Sequence, residues 1–494
     1  MATEPGRATL VQLTSPGAAL SPALRAAHAR LVAPDLGIWR LPAGAASRAL
    51  PALRAEGVVG HAEPDRRIVP FSHLNAGDPL ILNEWWIGDV GANQTEPPGP
   101  GVPVTVVDTG LDLTHPEYNG RPNTVALNNQ FVVSSDDVHG TAVSSVVGAP
   151  SNGLGLVGVY PQAVLQEWDF GEGSLSDILA ALNATSKRGR GVVNFSGGFQ
   201  GYSQLLEQAV DRALRRGVLV VAAVGNFRQN GSPAFIPASL PHVLTIGAND
   251  QTDRVAFFSN RSGAIDLAAP GVAMPVAVPA FFNQTGYDTF DGTSFSAPLV
   301  AGATAWIWTM RPQLDVTQIQ DVMRDSARDV PPAGWDADTG FGILSLPRAL
   351  AQKARPKDPQ EPNDDVNLVR PHAVTAGGRR LATPANVQAR MDVTEDPEDV
   401  YRVWVPARGR IAARSRSTAN VDLALWGPKT RSVYERGRAL KLDLLAYSQR
   451  RGSRSEVVST RNNTGHGAYF FVDTFLGKRV GQASYSLKVS VARR

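Results

Sequence analysis

The most constraining feature of the sequence is a nearly unbroken apolar run, Leu299-Val300-Ala301-Gly302-Ala303-Thr304-Ala305-Trp306-Ile307-Trp308. A helix that is apolar on every side is buried on every side, so the run predicts a helix inside a large core. Asp291-Gly292-Thr293-Ser294 precedes it and places a hydroxyl at the first helical turn. The positive end of the helix dipole favours developing negative charge there, which makes Ser294 a candidate nucleophile. The alternative is a simple capping residue.

Composition narrows the possible classes of protein. The chain has 494 residues, 43% of them hydrophobic and 19% charged, which predicts two or three globular domains. It has no cysteine, so disulfides, thiolate zinc sites and cysteine nucleophiles are excluded. No apolar stretch approaches the roughly 20 residues that span a bilayer, and we expect no membrane association. The first residues lack the apolar segment of a secretory signal, which leaves the compartment open.

Charge is distributed unevenly along the chain. Residues 351–494 contain 26 Lys and Arg against 14 Asp and Glu, a net charge of +12, and the first 350 residues carry −9. A basic segment can bind polyanions such as cell-wall polymer or nucleic acid. No nucleic-acid motif accompanies it, so solvated arginines are the favoured interpretation and no nucleic-acid partner is expected.

Short β-branched runs in the middle of the chain end in polar residues. Val102–Val107 leads into Asp108, and Val218–Val224 leads into Gly225-Asn226. Helical periodicity lies between such runs, an alternation that predicts a parallel sheet flanked by helices. One of these helices begins at His139. Because α/β proteins place their chemistry at the carboxyl ends of parallel strands, we expect these polar residues to lie close together.

The two ends of the chain have other patterns. Residues 1–69 predict a small α+β unit, with strands at 36–41 and 58–65 around a helix at 45–53. The α/β region covers 70–353, and a Pro- and charge-rich linker occupies 354–358. Residues 359–494 predict an all-β sandwich, from strand-like runs at 400–405, 421–426, 469–472 and 485–491.

Three of the candidate residues form a known chemical combination. Ser294 supplies a nucleophile, His139 a base to take its proton, and Asp108 a carboxylate to fix the tautomer of the base. The side-chain amide of Asn226 could donate to the oxyanion of a tetrahedral intermediate. The chain order Asp, His, Ser differs from that of the chymotrypsins and of the α/β-hydrolases.

The chain resembles the subtilisin-like serine proteases, or subtilases, over about residues 70–353. Six motifs carry this resemblance in family order and at family-like spacing: Val106-Val107-Asp108-Thr109-Gly110-Leu111-Asp112 with His115-Pro116-Glu117, His139-Gly140-Thr141, Asn194-Phe195-Ser196-Gly197-Gly198, Gly225-Asn226, Ala268-Ala269-Pro270-Gly271, and Gly292-Thr293-Ser294 with Ala297-Pro298. The resemblance implies a subtilisin-like parallel sheet and a serine endopeptidase acting on proteins or peptides. Ser294 would be its nucleophile, His139 its base, Asp108 the orienting acid and Asn226 the oxyanion donor.

The resemblance also implies a substrate-binding edge at Ser196, Gly197 and Gly198, with Val224 beside it. The chain departs from the family in two places. Ala142 stands where a second histidine is usual, and Ser144-Ser145 replace an Ala-Gly pair, so packing behind the catalytic helix must differ. Phe235 falls where many relatives have a pocket-floor glycine, and Phe227 where many have a polar residue. These two rings predict a preference for small apolar side chains before the scissile bond.

Further implications concern processing and calcium. Residues 1–69 are similar to a subtilase propeptide, an intramolecular chaperone and inhibitor, which predicts a zymogen that cuts itself between about Val69 and Asp78. The alternative is a stable extra domain. The sandwich is similar to the pre-peptidase C-terminal domain of secreted bacterial proteases, so we expect secretion. The family's strong calcium site would use Glu117, Asn152 and the carbonyls of Leu154 and Leu156.

Two rival functions remain open from the sequence. The first is a catalytically silent subtilase fold used for binding, and the second is an esterase with the same triad. The four intact chemical groups argue against the first, and the peptide-binding strand at Ser196 argues against the second. We therefore predict a monomeric serine endopeptidase that needs no cofactor for catalysis and in which calcium would be structural.

Overall fold

The computed structural model describes residues 8–14, 21–65, 77–171, 173–356, 361–366, 368–369, 385–393, 396–433, 443–450, 455–477 and 480–492. The chain forms two compact units, Met1–Pro70 and Phe71–Arg494. Residues 69–76 of the predicted self-cleavage region and residues 357–358 of the predicted linker at 354–358 lie outside the described residues. The domain boundaries proposed from the sequence remain predictions.

The first unit is a four-stranded antiparallel sheet with two helices. Its elements are β1 (Thr9–Leu13), α1 (Pro22–Ala26), β2 (Arg30–Ala33), β3 (Ile38–Leu41), α2 (Ala46–Ala55) and β4 (Val59–Pro64). The strand order is β2-β3-β1-β4. Val11, Leu24, Leu41 and Leu53 fill its core. The small α+β unit predicted from the sequence therefore has the expected elements.

The second unit begins with an α/β region whose described elements run from α3 to α9. They are α3 (Trp86–Asp89), β5 (Val104–Asp108), β6 (Thr124–Ala126), α4 (Val138–Gly148), β7 (Leu165–Asp169), α5 (Leu175–Arg188), β8 (Gly191–Phe195), β9 (Phe199–Gln200), α6 (Gln204–Arg215), β10 (Val218–Ala223), β11 (Phe235–Ile236), β12 (Val243–Asn249), β13 (Leu267–Pro270), β14 (Met274–Ala277), β15 (Tyr287–Phe290), α7 (Thr293–Met310), α8 (Val316–Asp325) and α9 (Leu346–Ala351). Seven strands form a parallel sheet in the order β13-β12-β10-β8-β5-β7-β6.

Helix α7 is the central helix that the apolar run predicts. Every residue from Phe295 to Trp308 is buried, and α7 packs on α4 and on the middle of the sheet. Burying apolar surface stabilises the fold by roughly 25 cal/mol per Å², so this helix anchors the whole region. As a consequence, Ser294 is fixed at its amino end.

The last part of the chain is a β-sandwich. Its strands are β16 (Ala385–Asp392), β17 (Glu398–Val405), β18 (Arg410–Ser417), β19 (Val421–Trp426), β20 (Leu444–Ser448), β21 (Val457–Arg461), β22 (Ala468–Leu476) and β23 (Gln482–Ala492). They pair antiparallel in two sheets, β16-β23-β18-β21 and β17-β22-β19-β20, with an apolar core between them. The predicted sandwich is confirmed, and four of its strands, β16, β18, β20 and β21, were not predicted.

Buried ion pairs connect the sandwich to the α/β region. Arg324 on α8 bonds Asp266 and also Asp392 of β16, both at 3.1 Å. His242 lies 2.5 Å from Asp364, a residue that precedes the sandwich strands. These contacts account for the two parts forming one compact unit. Within the described residues, no helix is long and apolar enough to cross a membrane.

Candidate active site

Asp108 and His139 meet at the carboxyl edge of the parallel sheet. Asp108 is the last residue of β5 and is 1% exposed, and His139 stands in the first turn of α4. Asp108 Oδ1 lies 2.7 Å from His139 Nδ1. The same carboxylate oxygen accepts the backbone N–H of Thr109 at 2.8 Å. A buried carboxylate in this position fixes which ring nitrogen carries the proton.

The backbone at the start of α4 lies very close to the backbone that follows β5, and this contact sets the position of His139 relative to Asp108. The Thr109 side chain accepts the N–H of Gly140 at 2.9 Å and donates to the carbonyl of Asp137 at 3.1 Å. A Cβ on Gly140 would lie 2.3 Å from the carbonyl oxygen of Gly110. Glycine is therefore required after the histidine, because any side chain would push α4 away from β5.

The imidazole of His139 is partly exposed, with 38% of its side chain accessible. Its removal from water opposes protonation, but the charge of Asp108 and the hydrogen bond to it outweigh that effect and raise the pKa of His139. The ring can thus take up a proton readily while its outer face remains open to a reactant. That is the requirement for a general base and acid.

Ser294 lies in the first turn of α7, with Gly292 as the residue before the helix. Its hydroxyl donates to the carbonyl oxygen of Ser196 at 3.1 Å, and the Ser196 hydroxyl donates to the Ser294 carbonyl at 2.8 Å. In this arrangement the Ser294 hydroxyl faces the strand edge. Catalytic hydrogen bonds are often long or unaligned before substrate binds, so rotation about one side-chain bond is the movement that chemistry would require.

Asn226 is held beside the same helix end. Its side-chain oxygen accepts the Thr293 N–H at 2.9 Å and the Thr293 hydroxyl at 2.8 Å. Both bonds use the amide oxygen, so the NH₂ group is turned towards Gly292, whose Cβ position would lie 3.3 Å from it. The residue is exposed, and its donor is thereby available to a bound group next to Ser294.

The predicted substrate edge also lies here. Gly197 and Gly198 are exposed after β8, and Val224 is buried at the end of β10. Phe227, 46% exposed, stacks on Phe235 with ring centroids 5.2 Å apart. A Cβ on Gly198 would lie 3.2 Å from that of Phe235. The two rings therefore stand next to the glycine edge, as the specificity hypothesis requires.

Packing behind α4 differs from the family pattern in a way the sequence analysis did not resolve. The Ser144 hydroxyl bonds the carboxyl of Glu167, a fully buried residue of β7. The Ser145 hydroxyl donates to the Ala142 carbonyl at 2.7 Å and accepts the Ala277 N–H at 3.0 Å. Both serines thus use their hydroxyls inside the core. An acidic residue within the otherwise buried run of β7 was the available signal for Glu167.

Burial raises the pKa of Glu167 well above its usual range. The hydrogen bond from Ser144 opposes this shift, and the nearby carboxylates of Asp108 and Asp169 add to it. Burial therefore favours the protonated form of Glu167, which would place no second negative charge behind the Asp108–His139 pair.

The residues predicted to bind calcium lie close together, and hydrogen bonds link the two carboxyl oxygens of Glu117 to N–H and O–H donors. Glu117, 1% exposed, accepts the Leu156 N–H at 3.1 Å, the Tyr287 hydroxyl at 3.0 Å and the Asn152 NH₂ at 3.3 Å. The Asn152 side-chain oxygen accepts the Leu154 N–H at 2.8 Å. Burial raises the pKa of Glu117 to about 7, against the effect of these bonds.

This arrangement does not fit a calcium ion. Calcium requires six to eight oxygen ligands, whereas both Glu117 oxygens here face N–H or O–H donors. The Tyr287 ring also fills the space at the loop, since a Cβ on Gly155 would lie 2.1 Å from its hydroxyl. No step of the function proposed below uses calcium.

The fold and the site together define a class of protein. A carboxylate, an imidazole and a serine at the carboxyl edge of a parallel sheet, in that chain order, are the parts of a serine hydrolase of the subtilisin type. The Subtilase family model matches residues 99–342. Subtilisin BL of Lederbergia lenta is 35% identical over 233 residues, which cover 84% of that protein and 46% of this chain. The chain belongs to the subtilase family.

A second relative, fervidolysin, matches a longer part of this chain, both in sequence and in structure. Fervidolysin of Fervidobacterium pennivorans is 32% identical over 314 residues, which are 56% of this chain and 44% of fervidolysin. The matched region thus spans less than half the length of that relative. The crystal structure of fervidolysin, described as a keratinolytic enzyme related to subtilisin, aligns with 94% of this chain and 68% of its own at a TM-score of 0.51 and 20% identity. That likeness confirms the fold.

Proposed function

We propose that the chain is a serine endopeptidase that hydrolyses peptide bonds through Asp108, His139 and Ser294. The observation that carries the proposal is the 2.7 Å contact between the buried Asp108 carboxylate and His139 Nδ1. With Nδ1 bonded to Asp108, Nε2 is the ring nitrogen that would take the proton of Ser294, once the Ser294 hydroxyl turns away from the Ser196 carbonyl.

The reaction would proceed in two halves. His139 takes the proton of Ser294 while its oxygen attacks the scissile carbonyl, and then delivers that proton to the leaving amine. Water repeats the sequence to release the acyl group. Because Asp108 stabilises the imidazolium, the developing positive charge is matched at each proton transfer.

Asn226 is proposed as an oxyanion donor. Its amide oxygen is occupied by Thr293, which fixes the orientation of the NH₂ group beside Ser294. The backbone N–H of Ser294, at the amino end of α7, would be the second donor. Fixed donors of this kind stabilise the transition state more than the ground state.

Peptides are the proposed substrates because the site has an open strand edge. Gly197 and Gly198 are exposed directly after β8, and we propose that the substrate backbone pairs with them there. We propose that Phe227 and Phe235 shorten the primary pocket and favour small apolar residues. Phe235→Gly should then raise the rate on a Phe substrate relative to an Ala substrate, and an unchanged ratio would remove Phe235 from the pocket.

We also propose that the chain is a self-processing precursor whose first 69 residues act as an intramolecular inhibitor, and that the mature enzyme is secreted. The α+β architecture of Met1–Pro70 supports the first point. The resemblance of the sequence after residue 358 to the pre-peptidase C-terminal domain supports the second.

One experiment tests the central proposal. The full chain and its Ser294→Ala variant are incubated with casein and followed on a gel. We expect only the parent to shorten by about 70 residues and to digest casein. If both remain full length and casein survives, a non-catalytic binding role replaces the proposal. If casein is digested without shortening, the chain is a peptidase but the precursor hypothesis is wrong.

A further inference from the structure

The outer surface of one sandwich sheet carries a cluster of cations. Strand alternation points Ile411, Ala413 and Ser415 of β18 into the core and leaves Arg410, Arg414 and Arg416 exposed. Arg461 of β21 and Lys488 of β23 are exposed beside them. We name these five residues, Arg410, Arg414, Arg416, Arg461 and Lys488, the basic face.

The register brings like charges directly opposite one another. Arg410 pairs with Arg461 across β18 and β21, and Arg414 pairs with Lys488 across β18 and β23. Like charges at directly opposed positions destabilise a sheet. Among the described residues, no carboxylate lies within ion-pair distance of the five cations. Arg410 donates one hydrogen bond, to the Ser459 hydroxyl at 2.9 Å.

Most of the other outward positions are small or polar, namely Asn386, Gln388, Ala412, Ser459, Gln482, Ser484, Ser486, Ser490 and Ala492. The exceptions are Val457, opposite Arg414, and Arg390, which bonds Asp392. Asp392, a carboxylate on the same face, lies at the end that contacts the α/β region and bonds Arg324 there. A strip of hydroxyls and amides between unpaired cations therefore faces solvent.

We propose that the basic face binds an anionic polysaccharide carrying carboxylate or sulfate groups. Guanidinium groups match such anions with two parallel hydrogen bonds, and the intervening hydroxyls and amides match sugar hydroxyls. The arginines follow the two-residue repeat of the strand, with Arg414 and Arg416 about 7 Å apart and Arg410 about 14 Å from Arg414, because Ala412 occupies the position between them. A linear polymer can cross several such positions at once.

Single-stranded nucleic acid fits this surface less well. Its binding uses aromatic side chains on which bases stack, and no aromatic residue occupies an outward position of the described parts of β16, β18, β21 and β23. The flat sheet also offers no helix or ribbon to enter a duplex groove. The surface is remote in sequence from the triad and would hold the enzyme on a matrix rather than bind the scissile bond.

The test uses the full chain with Ser294→Ala, so that the sample stays a single uncleaved species. Heparin is the polysaccharide probe, and a DNA oligonucleotide and poly-glutamate are the comparison polyanions, in about 150 mM salt. The face variant carries Arg414→Gln, Arg416→Gln and Lys488→Gln. The matched control carries Lys187→Gln, Arg188→Gln and Arg212→Gln on exposed helix positions, with the same loss of charge.

We expect the parent to bind heparin, the face variant to bind roughly tenfold more weakly, and the control to bind like the parent. Equal weakening in both variants would mean that net charge alone is responsible and would overturn the proposal. No binding by the parent would also overturn it. Tighter binding of DNA or poly-glutamate than heparin, lost in the face variant, would assign the surface to another class of partner. Equal melting temperatures show that the variants are folded.

Discussion

Two carboxyl groups of the α/β region are equally buried and have opposite surroundings. Asp108 and Glu117 are each 1% exposed. Asp108 faces the imidazole of His139, a group that can carry a positive charge, and it raises the pKa of that ring. Glu117 faces only neutral donors, namely an N–H, an amide and the Tyr287 hydroxyl, and burial raises its own pKa to about 7.

The difference shows that burial alone does not determine what a carboxyl group does. A partner that can become charged turns a buried carboxylate into part of a proton-transfer device. Neutral donors leave the cost of desolvation in place, so the group tends to keep its proton and to act as a structural hydrogen-bonding centre. Changing each carboxyl in turn should therefore give effects of different kind and size.

The largest effect is expected for Asp108→Asn. The amide is nearly the same shape but cannot stabilise the imidazolium and favours the wrong tautomer, so kcat should fall by about 10⁴-fold. Hydrolysis of a peptide anilide, followed at saturating substrate, measures it. A fall of tenfold or less in a variant that melts at the parent's temperature would mean that Asp108 is not the partner of the catalytic base.

The next effect concerns the donor beside Ser294. Asn226→Ala removes the NH₂ group and should lower kcat by about 10²–10³-fold with little change in KM, because an oxyanion forms only in the transition state. Asn226→Asp keeps the size and the oxygen that bonds Thr293 but also removes the donor and adds a negative charge beside the oxyanion, so it should lower kcat at least as much. Activity close to that of the parent in both variants would contradict the oxyanion role.

The Asp108–His139 pair also predicts the acid side of the pH profile. His139 must be neutral to act as a base, and its pKa is raised by Asp108. The value of kcat/KM should therefore fall as pH drops, with an apparent pKa above the ordinary 6.5 of histidine. A midpoint below 6.5 would show that burial dominates over the charge of Asp108. Controls at each pH establish that the protein remains folded.

Local chemistry explains which of these features the sequence could predict. The triad, Asn226 and the strands ending beside them follow motifs whose order and spacing are specific. Glu167 escaped prediction because its bond to Ser144 joins β7 to α4, a contact between distant parts of the chain. Strand β18 escaped because its inward residues, Ile411, Ala413 and Ser415, are mostly small and give a weak apolar alternation. The pairing of Arg410 with Arg461 and of Arg414 with Lys488 depends on the strand register, which joins distant parts of the chain and cannot be read from local sequence.

A smaller effect is expected at Glu117, and it should appear in stability. Its pKa in the folded protein is raised from 4.5 to about 7, so the folded state binds this proton more tightly than the unfolded state. The stability due to this group is complete below about pH 4.5 and is lost as pH rises through about 7. Glu117→Gln removes the titration, so its melting temperature relative to the parent should increase by a few degrees between pH 5 and pH 8. A constant difference across that range would contradict the raised pKa.

The smallest effect is expected from calcium at the same loop. Because Glu117 and Asn152 already bond protein donors, calcium should gain little there. The calcium-induced shift in the melting temperature of the parent does not report on this loop alone. Carboxylate oxygens of Glu361, Asp396 and Asp399 lie within 4.8 Å of one another and could bind the ion elsewhere. The decisive quantity is the difference between the calcium-induced melting shift of the parent and that of Glu117→Gln, each measured against chelator. We expect no difference; a shift lost in the variant would mean that the loop rearranges, turns Tyr287 away and binds the ion after all.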